Sequence, residues 1–127
     1  MDASLQHELL KCETDIVGTL ERLCGDEALY LSCLKMFPGD ETMLQLKDSL
    51  REERWDDAFT AAHALKGLAA NMGFIPLFHA SAEMVLLIRA GRTSEIERCY
   101  DELKQCYDGI IEVIRAHCGD VLKGEEA

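Results

Sequence analysis

Residues 94–119 read SEIERCYDELKQCYDGIIEVIRAHCG. Ile96, Cys99, Leu103, Cys106, Ile110, Val113 and His117 recur at steps of three and four, the period of a helix with one apolar face. Ser94 and Glu97 predict a capping box at its start, and Gly119 predicts its end. At ~1.5 Å per residue such a segment makes a rod of roughly 37 Å. Working back toward the N-terminus, the same period returns. Residues 76–90 predict a helix that opens on Pro76, a residue suited to a first turn. It buries Leu77, Ala80, Met84, Leu87 and Ile88 and stops at Gly91. Residues 54–72 place Trp55, Ala58, Ala62, Leu65, Ala69 and Met72 on one face, with Gly73 near the end. Asp40 is expected to cap a helix carrying Met43, Leu46 and Leu50 inward. Asp26 is expected to cap another, with Leu29, Tyr30, Cys33, Leu34 and Phe37 inward, stopped by Phe37-Pro38-Gly39. The first segment, Ser4 to Cys24, reads as a single helix with Leu5, Leu9, Cys12, Ile16, Leu20 and Leu23 in one stripe. Gly18 weakens it and Gly25 can end it.

Val, Ile and Thr are scattered, and no alternating run reaches strand length. The links between helices are short, so sequential helices should pack as antiparallel neighbours. The expected fold is all-α: an up-and-down four-helix bundle with one or two additional N-terminal helices. A single domain is expected over residues 1–119, with a polar tail, 120–127, that frays.

The chain has 127 residues, enough for one domain and too few for a second of ordinary size. With 48% apolar residues it can bury a core. Its 13 basic and 24 acidic residues leave a net charge of −11, which repels nucleic acid and anionic lipid. No run of about 18 apolar residues exists for a membrane span, and no basic start precedes an apolar stretch as in a signal peptide. The six cysteines include no C-x-x-C pair, and most fall on apolar helical positions, so they read as reduced thiols of a cytoplasmic protein. Met1 and the polar ends suggest a free-standing protein.

Charge is unevenly spread. Residues 54–92 hold 3 acids and 4 bases, a net of +1, so the remainder sums to −12. Within that segment stands Ala61-Ala62-His63-Ala64-Leu65-Lys66-Gly67. On a wheel at about 100° per residue His63 falls on the flank of the helix, some 120° from a core centred between Ala62 and Ala69. Gly67 follows one turn later, about 40° further round, and Lys66 lies between the histidine and the core edge. An interior glycine costs about 1 kcal/mol relative to alanine; in exchange no side chain covers the imidazole. Ala64 and Ala70 are also small, so a partner could come close. A neutral imidazole is a good nucleophile toward phosphorus near pH 7, and Lys66 could hold phosphoryl oxygens as a point charge. Phe59, one turn before His63, either joins a docking patch with Ala64 and Ala70 or covers a core edge; the small neighbours favour the patch. His79 and Glu83, four apart, suggest a surface pair. No Glu-x-x-His pair is present for a di-iron site, and no phosphate-binding glycine loop for ATP.

Trp55, Ala62, His63, Leu65, Lys66, Gly67 and Gly73 together resemble the histidine-containing phosphotransfer (HPt) domains of multistep two-component phosphorelays. Gly25-Asp26-Glu27, the Phe37 break and Glu83 are also similar to that family, while Ala82 and Leu68 depart from it. The resemblance spans about residues 25–115. It implies that His63 accepts a phosphoryl group from an aspartyl-phosphate on a response-regulator receiver domain and passes it to another receiver aspartate. It implies supporting roles for Lys66 (electrostatic) and Gly67 (steric access). It also implies a hybrid histidine kinase upstream, a monomeric state, no cofactor of its own and Mg2+ on the partner receiver. Two other readings stay open: a receiver-binding adaptor that docks without taking phosphate, and a structural bundle whose motif is coincidental. A di-metal or haem bundle is a third, from the enzyme class.

Overall fold

A computed structural model describes residues 1–118. The expected end at Gly119 and the tail 120–127 lie outside the described residues. Seven α-helices occur among them: α1 (Ala3–Lys11), α2 (Ile16–Arg22), α3 (Glu27–Met36), α4 (Thr42–Arg51), α5 (Trp55–Met72), α6 (Ile75–Ala90) and α7 (Thr93–His117). A single 3-10 turn, Phe37–Gly39, joins α3 to α4. No strand occurs among the described residues; one isolated bridge pairs Thr14 with Phe74. The helices α4 to α7 form the up-and-down bundle, packed most closely as α5 on α6, α4 on α5 and α6 on α7. The expected all-α bundle is therefore found, with three N-terminal helices, α1 to α3, where one or two were expected.

The core follows from the helical stripes. Leu46, Ala58, Ala62, Leu65, Ala69, Leu77, Met84, Leu103 and Ile114 are almost wholly buried. Tyr30 and Leu34 of α3, with Leu5 and Leu9 of α1, close its N-terminal end. Asp26 caps α3 by accepting from Leu29 N–H at 3.0 Å, as expected. Asp40 accepts from Thr42 N–H at 2.8 Å. Leu29 is exposed instead of buried.

Three expectations are corrected. The single helix over Ser4–Cys24 is broken in two. Glu13 takes a left-handed φ of 58°, Thr14 pairs with Phe74, and Asp15 N–H donates to the Gly73 carbonyl at 2.8 Å. Asp15 then caps α2 by accepting from Gly18 N–H at 2.9 Å. A stripe periodic across the break cannot reveal a contact with a link sixty residues away. The capping box of the last helix does not form either. The helix begins two residues earlier than a Ser94 cap requires, at Thr93, and its cap position, Arg92, makes no side-chain cap bond; instead Arg92 pairs with Glu95 at 2.5 Å. Finally, the buried face of α7 turns toward Ile111 and Ile114, leaving Cys106, Val113 and His117 half-buried. Over 25 residues a helix of 3.6 residues per turn drifts off a strict seven-residue repeat.

The C-terminal end of α5 is the joint of the fold. Gly73 stands there with φ +74°. A Cβ added at Gly73 would clash with Thr19 Oγ1 and lie 2.6 Å from the Asp15 carbonyl oxygen. The last turn of α5 has no basic residue of its own. Arg22 of α2 supplies one, its Nη2 donating to the carbonyls of Ala70 at 2.9 Å and Asn71 at 3.1 Å. A cation at a helix C-terminus offsets the negative end of the helix dipole.

Gly73→Ala is therefore expected to cost about 2 kcal/mol or more, since a left-handed φ and a clash with backbone act together; urea unfolding reads the loss. A second expectation concerns alkali. Burial raises the Cys12, Cys106 and Cys118 thiols and the Tyr30, Tyr100 and Tyr107 phenols. It also pushes Cys99 up to about 11, helped by Glu83 and Glu102. These groups stay protonated in the folded chain where the unfolded chain ionises. Their contribution is complete below the ordinary thiol value of 9.0 and falls away toward about 11. The urea midpoint should accordingly be lower at pH 10.5 than at pH 8.

Candidate functional site

The middle of α5 presents His63 to solvent, near the midpoint of an 18-residue helix and away from its frayable ends. Its flank position matches the wheel, although the core face is wider than expected because Ala61 is buried as well as Ala62. One turn earlier the Phe59 ring stacks on the imidazole, with centroids 6.2 Å apart and planes 25° apart. One turn later Gly67 is exposed. A Cβ added at Gly67 would meet nothing within 4 Å. Its backbone is not left-handed either. Nothing in this chain's own packing demands a glycine there.

Two cations flank the imidazole, each parked on an aromatic ring. Lys66 is half-buried with Nζ 6.0 Å from the Phe78 centroid. Arg89 of α6 holds its guanidinium 5.1 Å from the Phe59 centroid. Neither pairs with a carboxylate among the described residues. Cation–π contacts of this kind are worth about 0.5–1 kcal/mol at exposed sites. A dianionic oxygen cluster bound at His63 could draw either cation away at small cost.

The structure brings His63, Lys66, Gly67 and Phe59 together. Phe59 is half-buried, packing on the core while its ring also lies against the imidazole. Ala70 is exposed on the same flank as His63, two turns on. Ala64 is exposed too, but at about 100° per residue it lies a quarter-turn away on the side facing α4. Leu68 is half-buried and packs on the core, away from the imidazole. His79 and Glu83 are both exposed and make no bond to each other; the His79 ring lies edge-on to Phe78 at 5.5 Å. The pair expected from their spacing does not form.

Arg89 and Phe78 escaped the sequence reading. Their signal was the hairpin itself: α5 and α6 reverse at Gly73, so residues equally far on either side of that turn must meet. Phe59 then falls near Arg89 and Lys66 near Phe78. All six cysteines are free thiols. Among the described residues no group of three or more His, Cys, Asp or Glu is arranged to hold a metal ion, and no helix is long and apolar enough to cross a membrane.

A protein-family model described as Hpt domain matches residues 39–113, which covers α4, α5, α6 and most of α7. Neither the curated proteins nor the solved structures include a match.

Gly67→Ala is expected to raise stability by about 0.5–1 kcal/mol, because alanine is the better helix former and its methyl group meets open space. Urea unfolding of Gly67→Ala and Gly73→Ala should give shifts of opposite sign.

Proposed function

The chain belongs to the Hpt domain family, and on that premise we propose that His63 is the residue that carries the phosphoryl group. A phosphotransfer role in two-component signalling, with receiver domains as the interacting partners, comes with the family. The residue assignments and the direction of transfer are our own reading. The observation that carries them is the pairing of an exposed histidine with an exposed, interior glycine one turn away. That glycine weakens the helix and relieves no contact within the chain. Its benefit must fall to something that approaches from outside.

In this reading a neutral nitrogen of the His63 imidazole attacks the phosphorus of an aspartyl-phosphate on a receiver. The N–P bond forms as the bond from phosphorus to the aspartyl oxygen breaks, and the carboxylate leaves with the electron pair. No proton has to move in that step; the other ring nitrogen can release its proton to water afterwards. Attack on phosphorus by the carboxylate of a second receiver reverses the sequence and restores the free imidazole. Lys66 lies one turn of helix from the acceptor and can neutralise part of the phosphoryl charge. Arg89, resting on Phe59, is placed to do the same from α6. Gly67 leaves the approach clear, and Phe59, Ala64 and Ala70 contribute to the docking face. The Mg2+ that phosphoryl transfer calls for is assigned to the receiver. The chain itself is read as a monomeric, cytoplasmic carrier without its own cofactor or ATP-driven kinase activity, served by a hybrid histidine kinase.

Phosphoramidate tests this directly, because it is a small donor that needs no receiver. Intact mass at neutral pH should show one added phosphate, labile in acid and missing from His63→Gln. Lys66→Ala should still label, about tenfold more slowly, a loss of about 1.4 kcal/mol of barrier stabilisation. Gly67→Ala should label normally from phosphoramidate yet exchange phosphate poorly with a receiver. Labelling that persists in His63→Gln, or none in the parent protein, would overturn the assignment and leave an adaptor that docks without phosphate.

A further inference from the structure

Between α2 and the hairpin of α5 and α6 lies a cleft of about 170 Å3. Ala70, Gly73, Phe74, Ile75 and Phe78 line it, with Arg22 as one wall. Resting on the receiver reading above, we propose that this cleft takes one apolar side chain from the docked receiver domain and thereby helps select it. The segment α1 to α3 lies outside the stretch matched by the family model. It would thus add a receiver-selecting wall of this chain's own.

Four observations support the assignment. The cleft is continuous with the acceptor site. Ala70 stands two turns beyond His63 on the same flank, and Phe78 both lines the cleft and carries Lys66. Seven residues of helix separate His63 from Ala70, roughly 10 Å of rise. A stable interface buries roughly 800 Å2 per partner, a disc of roughly 16 Å radius if centred on His63. A receiver whose interface is centred on His63 therefore reaches the cleft, covering its near edge at Ala70 and extending about as far as Gly73. Next, the charged side chains at the cleft are engaged within the chain. Asp15 accepts from Gly18 N–H, and Arg22 donates to Thr19 Oγ1, Ala70 O and Asn71 O. Most of the surface left open there is apolar. Third, Ile75 is 43% exposed at the start of α6, where no packing within the chain requires a large aliphatic residue. Finally, the size of the cleft suits one side chain such as Leu, Met or Phe, and does not suit a helix or a peptide strand.

The test uses the full chain and a receiver domain that exchanges phosphate with it, with affinity read by isothermal titration. Ile75→Asn should weaken receiver binding about tenfold or more, and Ile75→Met should restore it to within about threefold, since methionine refills the same space. Leu44→Asn, at an exposed leucine on α4, should bind as the parent does. Thermal melts confirm that each variant is folded. Unchanged affinity in Ile75→Asn overturns the cleft while leaving phosphorylation of His63 standing. Weakening by Leu44→Asn instead places the docking face on α4 and overturns the cleft as well. If the parent protein takes no phosphate from phosphoramidate, the acceptor reading itself fails, and the cleft then stands or falls on whether Ile75→Asn weakens binding of a receiver.

Discussion

At Gly73 the chain turns left-handed against the backbone of Asp15, and a side chain at that position has nowhere to go. The rest of the molecule is arranged around this contact. It ends α5 and sends α6 back along it, which sets Phe59 against Arg89 and Lys66 against Phe78. It also receives the N-terminal helices. The Asp15 N–H donates to the Gly73 carbonyl, and Arg22 donates to the carbonyls of Ala70 and Asn71 in the last turn of α5. One tight turn therefore links the scaffold, the pair of helices that carries the exposed histidine and the cleft beside it.

Two glycines of α5 show how differently the same residue type can be justified. Gly73 is required by the fold: φ and steric contact both forbid anything larger. Gly67 is not required by anything inside the molecule; its neighbourhood is empty and its backbone is ordinary helix. A residue that lowers helix stability without relieving an internal contact points outward, toward a partner. That physical distinction is what marks His63 as the candidate acceptor among the histidines of the chain. The electrostatics agree with it. In a chain of net charge −11, the hairpin that carries His63 holds two cations that rest on aromatic rings and pair with no carboxylate among the described residues. Such cations stay in place without being committed to a carboxylate.

Much of this was legible in one dimension because helices report themselves locally. A 3.6-residue period, the Asp26 cap, the Gly91 stop and the placement of His63, Lys66 and Gly67 on neighbouring faces are all fixed by residues within two turns of one another. Bundle topology followed from short links, since helices joined by a few residues must run back beside each other. Reading failed where a distant contact outweighed the local pattern. The stripe from Leu5 to Leu23 continues through the break at Glu13 because the cause of the break, the pairing with Gly73 and Phe74, lies elsewhere in the chain. The Ser94 box failed because Thr93 and Ser94 both join the helix and move the cap by two residues, to Arg92.

The amino-acid sequence by itself determined the helices from α3 onward, their order and the identity of the candidate acceptor, since each depends on periodicity and spacing along the chain. Only the tertiary structure decided which side chains surround that acceptor. Arg89 and Phe78 reach the site across the α5–α6 hairpin, Phe59 is half-buried under Arg89, and Arg22 crosses from α2 to the end of α5. These contacts join residues from 12 to 49 positions apart. They are set by how helices pack in space, which no local pattern encodes.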